Sequence, residues 1–153
     1  MKLINSIAAA AVIGGLFLIP VPAQAFFWWG KVAEQRKAIL GTWNCTFETG
    51  GKTYRPDMNQ FSFRRDGTLR SDLKNGHQEL HLMGSWKIDK ESKLVFPAGG
   101  VAIATDRRTG DSKRDPINGT MYNEILTLTG SSLIFEREGG GEVYSCRKWS
   151  SVG

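Results

Sequence analysis

Two histidines are the first residues whose spacing suggests chemistry. His77 and His81 are four positions apart, which on a helix would place both on one face as metal ligands. The surrounding residues alternate like a strand, however, and strand residues four apart stand about 13 Å from each other. One metal ion cannot bridge that distance. We therefore predict two surface histidines and no metal site.

The other reactive side chains form no catalytic pattern. Residues 106–119 hold three aspartates, but four basic residues stand among them, whereas a calcium loop needs carboxylates at fixed alternate positions. No serine lies in a G-x-S-x-G context, and both histidines fall in one strand region, which disfavours a Ser-His-Asp site. We predict a binding protein rather than an enzyme, with no cofactor.

The two cysteines predict a disulfide. Cys45 and Cys146 stand near the two ends of the region that follows the N-terminal segment, and no C-x-x-C redox motif is present. In an exported chain, two such cysteines most simply bond to each other. Because a disulfide needs closely spaced Cα atoms, this bond would place the first and last strands side by side.

The N-terminus has the layout of a secretory signal peptide. Lys2 supplies a positive charge, residues 7–19 form an apolar run, and residues 23–25 are the A-x-A tripeptide AQA. We predict cleavage after Ala25 and a periplasmic or secreted bacterial protein. An uncleaved anchor is the alternative, because residues 3–29 taken together are long enough to span a bilayer, although two prolines interrupt them.

The region after the predicted cleavage site divides into three parts. An aromatic segment and a short helix occupy residues 26–40, a barrel domain occupies 41–149, and a tail occupies 150–153. The net charge of +5 comes from basic residues scattered along the chain. Because no recognition motif accompanies that charge, we expect no nucleic-acid partner.

Alternating apolar residues predict an all-β domain. Beyond a helix at residues 30–40, the pattern changes to period two, with hairpins turning at Asp66-Gly67 and at Gly130-Ser131. Residues 106–119 contain no apolar side chain before Ile117 and indicate a charged loop. Eight or nine short strands joined by tight turns predict an antiparallel up-and-down barrel, because closure removes exposed strand edges.

Three short motifs follow one another along the chain: the G-x-W at Gly41–Trp43 behind a helical turn, an F-x-x-D-G-T hairpin from Phe63 to Thr68, and a second G-x-W ending at Trp86. In this order they resemble the motifs of small bacterial lipocalin-like domains of the calycin superfamily. The likeness covers residues 39–149. It implies a barrel with one open mouth, in which Trp43 sits at the closed end under a basic residue of the last strand. Arg147 and Lys148 are the candidates, and the alternation favours Lys148.

Aromatic residues dominate the predicted barrel interior. The candidates to line a ligand site are Trp43, Phe47, Phe61, Phe63, Trp86, Phe96 and Phe135, with Leu69, Leu82, Ile103 and Leu128 also expected inside. An eight-stranded barrel either fills itself with side chains or holds one small molecule, and both outcomes stay open.

Two functions follow from those two outcomes. The first is an exported carrier or scavenger of a small hydrophobic ligand. The alternative is a self-filled barrel that binds a protein of the cell envelope, as an assembly factor or a protease-inhibitor-like module. The aromatic run Phe26, Phe27, Trp28 and Trp29 is the candidate contact with a partner or a membrane.

Overall fold

The computed structural model describes residues 23–150, with side chains described from residue 30 onward. Residues 1–22 and 151–153, which include most of the predicted signal segment, lie outside that description. One helix, α1 (Ala23–Ile39), precedes twelve strands. The strands are β1 (Gly41–Thr49), β2 (Lys52–Tyr54), β3 (Met58–Phe63), β4 (Thr68–Asn75), β5 (Gln78–Ser85), β6 (Lys87–Ile88), β7 (Lys93–Phe96), β8 (Gly100–Asp106), β9 (Ser112–Ile117), β10 (Met121–Leu128), β11 (Ser132–Arg137) and β12 (Val143–Lys148).

All twelve strands join one antiparallel sheet, which confirms the predicted all-β fold with an N-terminal helix. The spatial order is β6-β7-β10-β11-β12-β1-β3-β4-β5-β8-β9, and β2 attaches to β1. The sheet curls into a half-barrel. Within the described residues, the end strands β6 and β9 do not pair with each other, so one side stays open between them.

The predicted disulfide is confirmed. Cys45 and Cys146 are bonded, and they face each other in the pairing of β1 with β12. The first and last strands therefore lie side by side, as the bond required. Both cysteines are buried, so the bond is part of the core as well as a covalent link between the two strands.

The strand count exceeds the eight or nine that the pattern indicated, because the additional strands carry little or no apolar signal. β2 and β6 contain three and two residues. β9 lies inside residues 106–119, which the composition indicated as a loop, and it is held by backbone pairing with β8. The helix also differs, since it begins at Ala23 rather than near residue 30.

The closed end of the half-barrel is sealed by the start of β1. Trp43 is fully buried, and its Nε1 donates a hydrogen bond of 2.7 Å to the carbonyl oxygen of Ile39 at the end of α1. Gly41 makes this junction possible because its φ is +116°, a value that side-chain-bearing residues rarely adopt. A Cβ there would also stand 3.0 Å from Cε of Lys148.

The two free edges of the sheet are protected in different ways. α1 packs beside β6, and Nη2 of Arg36 donates to the carbonyl oxygen of Ile88 at 3.1 Å. β9 instead carries Lys113, Arg114 and Pro116, which are exposed. Charged residues and proline on an edge strand discourage pairing with another chain.

Candidate functional site

A cavity of about 150 Å³ lies in the half-barrel interior and opens to solvent. Its apolar floor is made by Phe61, Phe96 and Phe135, which are at least nine-tenths buried. Phe135 meets the other two rings edge-on, with centroids 5.8 Å from Phe61 and 6.3 Å from Phe96. Such edge-to-face contacts fix the rings and give the floor a defined shape.

The cavity walls come from strands far apart in the sheet order. Leu69 and Leu82 line it from β4 and β5, and Met121 lines it from β10. Four strands separate β4 from β10, so the curl of the sheet is what brings them to one space. Gly84 and Gly100 also line the cavity where β5 meets β8, and the two backbones approach closely there: a Cβ on Gly100 would stand 2.6 Å from the carbonyl oxygen of Met83.

Two buried polar side chains also line the cavity. Ser71 and Asn123 are 4% and 2% exposed. The Asn123 amide donates from Nδ2 to the carbonyl oxygen of Leu94 at 2.9 Å. The alternation along each strand could have predicted that both face inward. Ser71 lies two residues from Leu69 and from Leu73, and Asn123 lies two residues from Met121, so each shares a strand face with apolar residues. Sequence reasoning missed them because it considered apolar residues alone.

An ion pair stands at the edge of the cavity. Arg137 donates from Nη1 to Oε2 of Glu142 at 3.1 Å, and the Tyr144 hydroxyl donates to the same oxygen at 3.5 Å. Burial, followed by the negative charge of Glu142, raises the pKa of Tyr144, so its hydroxyl stays protonated at neutral pH. The guanidinium and the phenol thus share one carboxylate oxygen as acceptor.

The remaining aromatic candidates do not line this cavity. Phe63 and Trp86 pack edge-to-face at 5.5 Å in the core, and Trp43 lies at the closed end. Phe47 lines a separate pocket of about 160 Å³ with Tyr54, on which it stacks at 5.0 Å.

Ile103 is the one expected interior residue that faces outward. It pairs with His81 between β5 and β8, whereas Ala102 pairs with the cavity residue Leu82. Because neighbouring residues of a strand point to opposite faces, Ile103 lies on the outer surface.

A lysine of the last strand covers the tryptophan of the first. Nζ of Lys148 stands 5.0 Å from the centroid of the Trp43 ring and donates to the carbonyl oxygen of Ala38 at 3.1 Å. Arg147 points the other way and is exposed. Lys148 therefore ties β12 to both β1 and α1 at the closed end.

A basic groove lies beside that closed end. Its volume is about 410 Å³, and it is lined by Arg36, Lys37, Leu40, Arg65 and Trp86. No carboxylate is among these lining residues. The groove therefore combines positive charge with an apolar surface.

His77 lies in the turn between β4 and β5, and His81 on β5 belongs to a charge cluster on the outer face. His81 and Asp72 are paired across β4 and β5, with Nδ1 2.5 Å from Oδ1. Burial alone would raise the pKa of Asp72, but hydrogen bonds from Arg70 and His81 outweigh it and hold the pKa below its usual value. Among the residues whose side chains are described, no three potential metal ligands converge.

The side chains of Phe26, Phe27, Trp28 and Trp29 lie outside the described residues, so their predicted contact role is open. In the described part of the chain, no helix is long and apolar enough to span a bilayer. Comparisons with models of known protein families, with curated proteins and with solved structures find no match.

Proposed function

We propose that the protein binds a small hydrophobic molecule in the half-barrel cavity and acts as a carrier or scavenger. The cavity floor of Phe61, Phe96 and Phe135 is the observation that carries this proposal. A cavity near 150 Å³ lined by apolar side chains can hold a molecule the size of benzene. A longer ligand would extend through the opening into solvent.

A lipocalin-like carrier is consistent with the distribution of packing in the barrel. The closed end is filled by Trp43, Phe63 and Trp86, which stabilise the fold without leaving space. The cavity lies next to this layer and is open to solvent. A rigid filled base under an open apolar chamber suits reversible uptake of a small molecule.

A titration with benzene tests the proposal. Backbone amide resonances of residues lining the cavity should shift in a saturable way when benzene is added. Leu82→Trp fills the chamber with a larger side chain and should abolish the shifts. Leu126→Trp is the matched control, because Leu126 is half exposed outside the cavity. If neither benzene nor a broad panel of small apolar compounds produces shifts, the barrel is self-filled.

A second candidate function is binding of an envelope protein at the closed end. The groove of Arg36, Lys37 and Arg65 favours it, because three cations with no carboxylate in the lining complement an acidic surface. The aromatic run Phe26–Trp29, which precedes Arg36 in the sequence, is the candidate second contact with a partner or a membrane.

Native mass spectrometry of the protein purified from its host's envelope distinguishes the two functions. A bound small molecule supports the carrier, and a bound protein supports the envelope module. Neutralising Arg36, Lys37 and Arg65 to glutamine should then release the protein partner. Neutralising two cations on β9, Lys113 and Arg114, should leave it bound.

Export is part of the proposed function. The layout of residues 1–25 supports it, and so does the Cys45–Cys146 disulfide, because disulfides persist in oxidising compartments. Intact mass measurement should place the N-terminus at Phe26. A chain that keeps Met1 in the envelope fraction would instead support the uncleaved anchor.

A further inference from the structure

We infer that the ligand of the cavity carries a hydroxyl or similar hydrogen-bond donor, which is accepted by Oδ1 of Asn123. This inference rests on the proposed function, since it specifies the chemistry of the molecule that the same cavity binds. The class it points to is a small ring compound with one hydroxyl group, such as a phenol or a cyclic alcohol.

The hydrogen bond of Asn123 to β7 decides which end of its amide is free. Nδ2 donates to the carbonyl oxygen of Leu94, so the NH2 group is turned toward that strand. Oδ1, which can only accept, receives no hydrogen bond from a donor of the described residues, yet it is not one of their fully enclosed unpaired side-chain atoms. We take its remaining accessible surface to face the cavity, because Asn123 lines that space.

The location of this acceptor makes it selective. Asn123 is 2% exposed, so its oxygen is largely removed from bulk water. A purely apolar ligand would cover Oδ1 and leave it unpaired, so it should bind more weakly than a ligand of the same shape that carries a donor. A ligand with a donor would satisfy the oxygen and keep its ring against Phe61, Phe96 and Phe135.

The polar side chains that line the cavity differ in burial. Arg137 and Tyr144 each donate one hydrogen bond to Glu142 at the edge of the cavity. Ser71, which lines the cavity from β4, is the other polar lining residue that is more than nine-tenths buried. It therefore supplies the control that separates an effect of Asn123 from general polarity.

Phenol and toluene test the inference, because they have the same shape and differ by a hydroxyl in place of a methyl group. The measured quantity is the ratio of the toluene Kd to the phenol Kd. Asn123→Leu should lower this ratio by about tenfold or more, because the partner of the hydroxyl is lost. Ser71→Ala should leave the ratio within about twofold of wild type.

A second measurement on the unmodified protein covers the case in which Asn123→Leu does not fold. The side-chain amide resonances of Asn123 should shift with phenol and not with fluorobenzene, which lacks the donor at nearly the same size. Equal shifts with both probes, an unchanged ratio in Asn123→Leu, or a fall in Ser71→Ala instead would overturn the inference. If none of the three probes binds, the proposed function fails, which is a separate result.

Discussion

Removing the Cys45–Cys146 disulfide should destabilise the protein by a large part of its folding free energy. The bond joins residues 101 positions apart, so it restricts almost the whole described chain in the unfolded state. The chain-entropy relation for a loop of that length gives about 4.7 kcal/mol at 25 °C. Single domains are typically stable by only about 5–15 kcal/mol, so the double variant Cys45→Ala, Cys146→Ala should be close to unfolding.

Urea unfolding followed by tryptophan fluorescence measures this loss. The variant should show a lower midpoint and a larger m value, because its unfolded chain exposes more surface. Reduced wild-type protein is the control, since it keeps both sulfur atoms in the core and lacks only the covalent bond. A loss below about 1 kcal/mol with an unchanged m value would refute the reasoning. It would mean that the bond restricts the unfolded chain far less than the chain-entropy relation assumes.

Three further changes test the closed end, the cavity wall and the outer face. Lys148→Met should lower the free energy of unfolding by roughly 1–2 kcal/mol in urea, because it removes the cation over the Trp43 ring and the hydrogen bond to α1. The control Arg147→Met should change it by no more than about 0.5 kcal/mol. Gly100→Ala should lower the stability by about 1–3 kcal/mol in thermal melting, because the new Cβ would stand 2.6 Å from a backbone oxygen. Gly119→Ala is the control and should be near neutral, because the space around Gly119 is open. Asp72 has a lowered pKa in the folded state, so it stabilises the protein above its ordinary pKa of 3.8 and loses that effect as the pH falls through the folded value. Asp72→Asn should therefore flatten the fall of unfolding free energy below about pH 4, and an unchanged acid profile would count against the charge cluster.

The features that the sequence predicted well are those in which local pattern and core burial agree. Phe61 and Phe63 alternate with polar residues, and their inward positions on β3 follow from that period. The turn at Asp66-Gly67 was predictable for the same reason, because Gly67 has a positive φ and Oδ1 of Asp66 accepts from the Thr68 amide. In each case one short stretch contains all the information needed.

The features that were missed depend on which strands pair rather than on local pattern. Five of the six residues of β9 are exposed, so it carries no alternating apolar signal, and only its pairing with β8 makes it a strand. Ser71 and Asn123 are polar residues at interior positions, so a search for apolar residues passes over them. Phe47 follows the inward parity of β1, but β2 pairs with β1 at this point, and Phe47 stacks on its partner Tyr54 outside the main cavity.

The sequence by itself determined the all-β class, the disulfide and the tight turns, because each follows from residue type at a fixed local spacing. The tertiary structure alone decided that the sheet stops at a half-barrel and that β4 and β10 meet across one cavity. The same is true of the Asn123 bond to Leu94, which leaves an acceptor toward that space. Such features depend on the curl and register of the whole sheet, and these are set by packing between strands far apart in the chain.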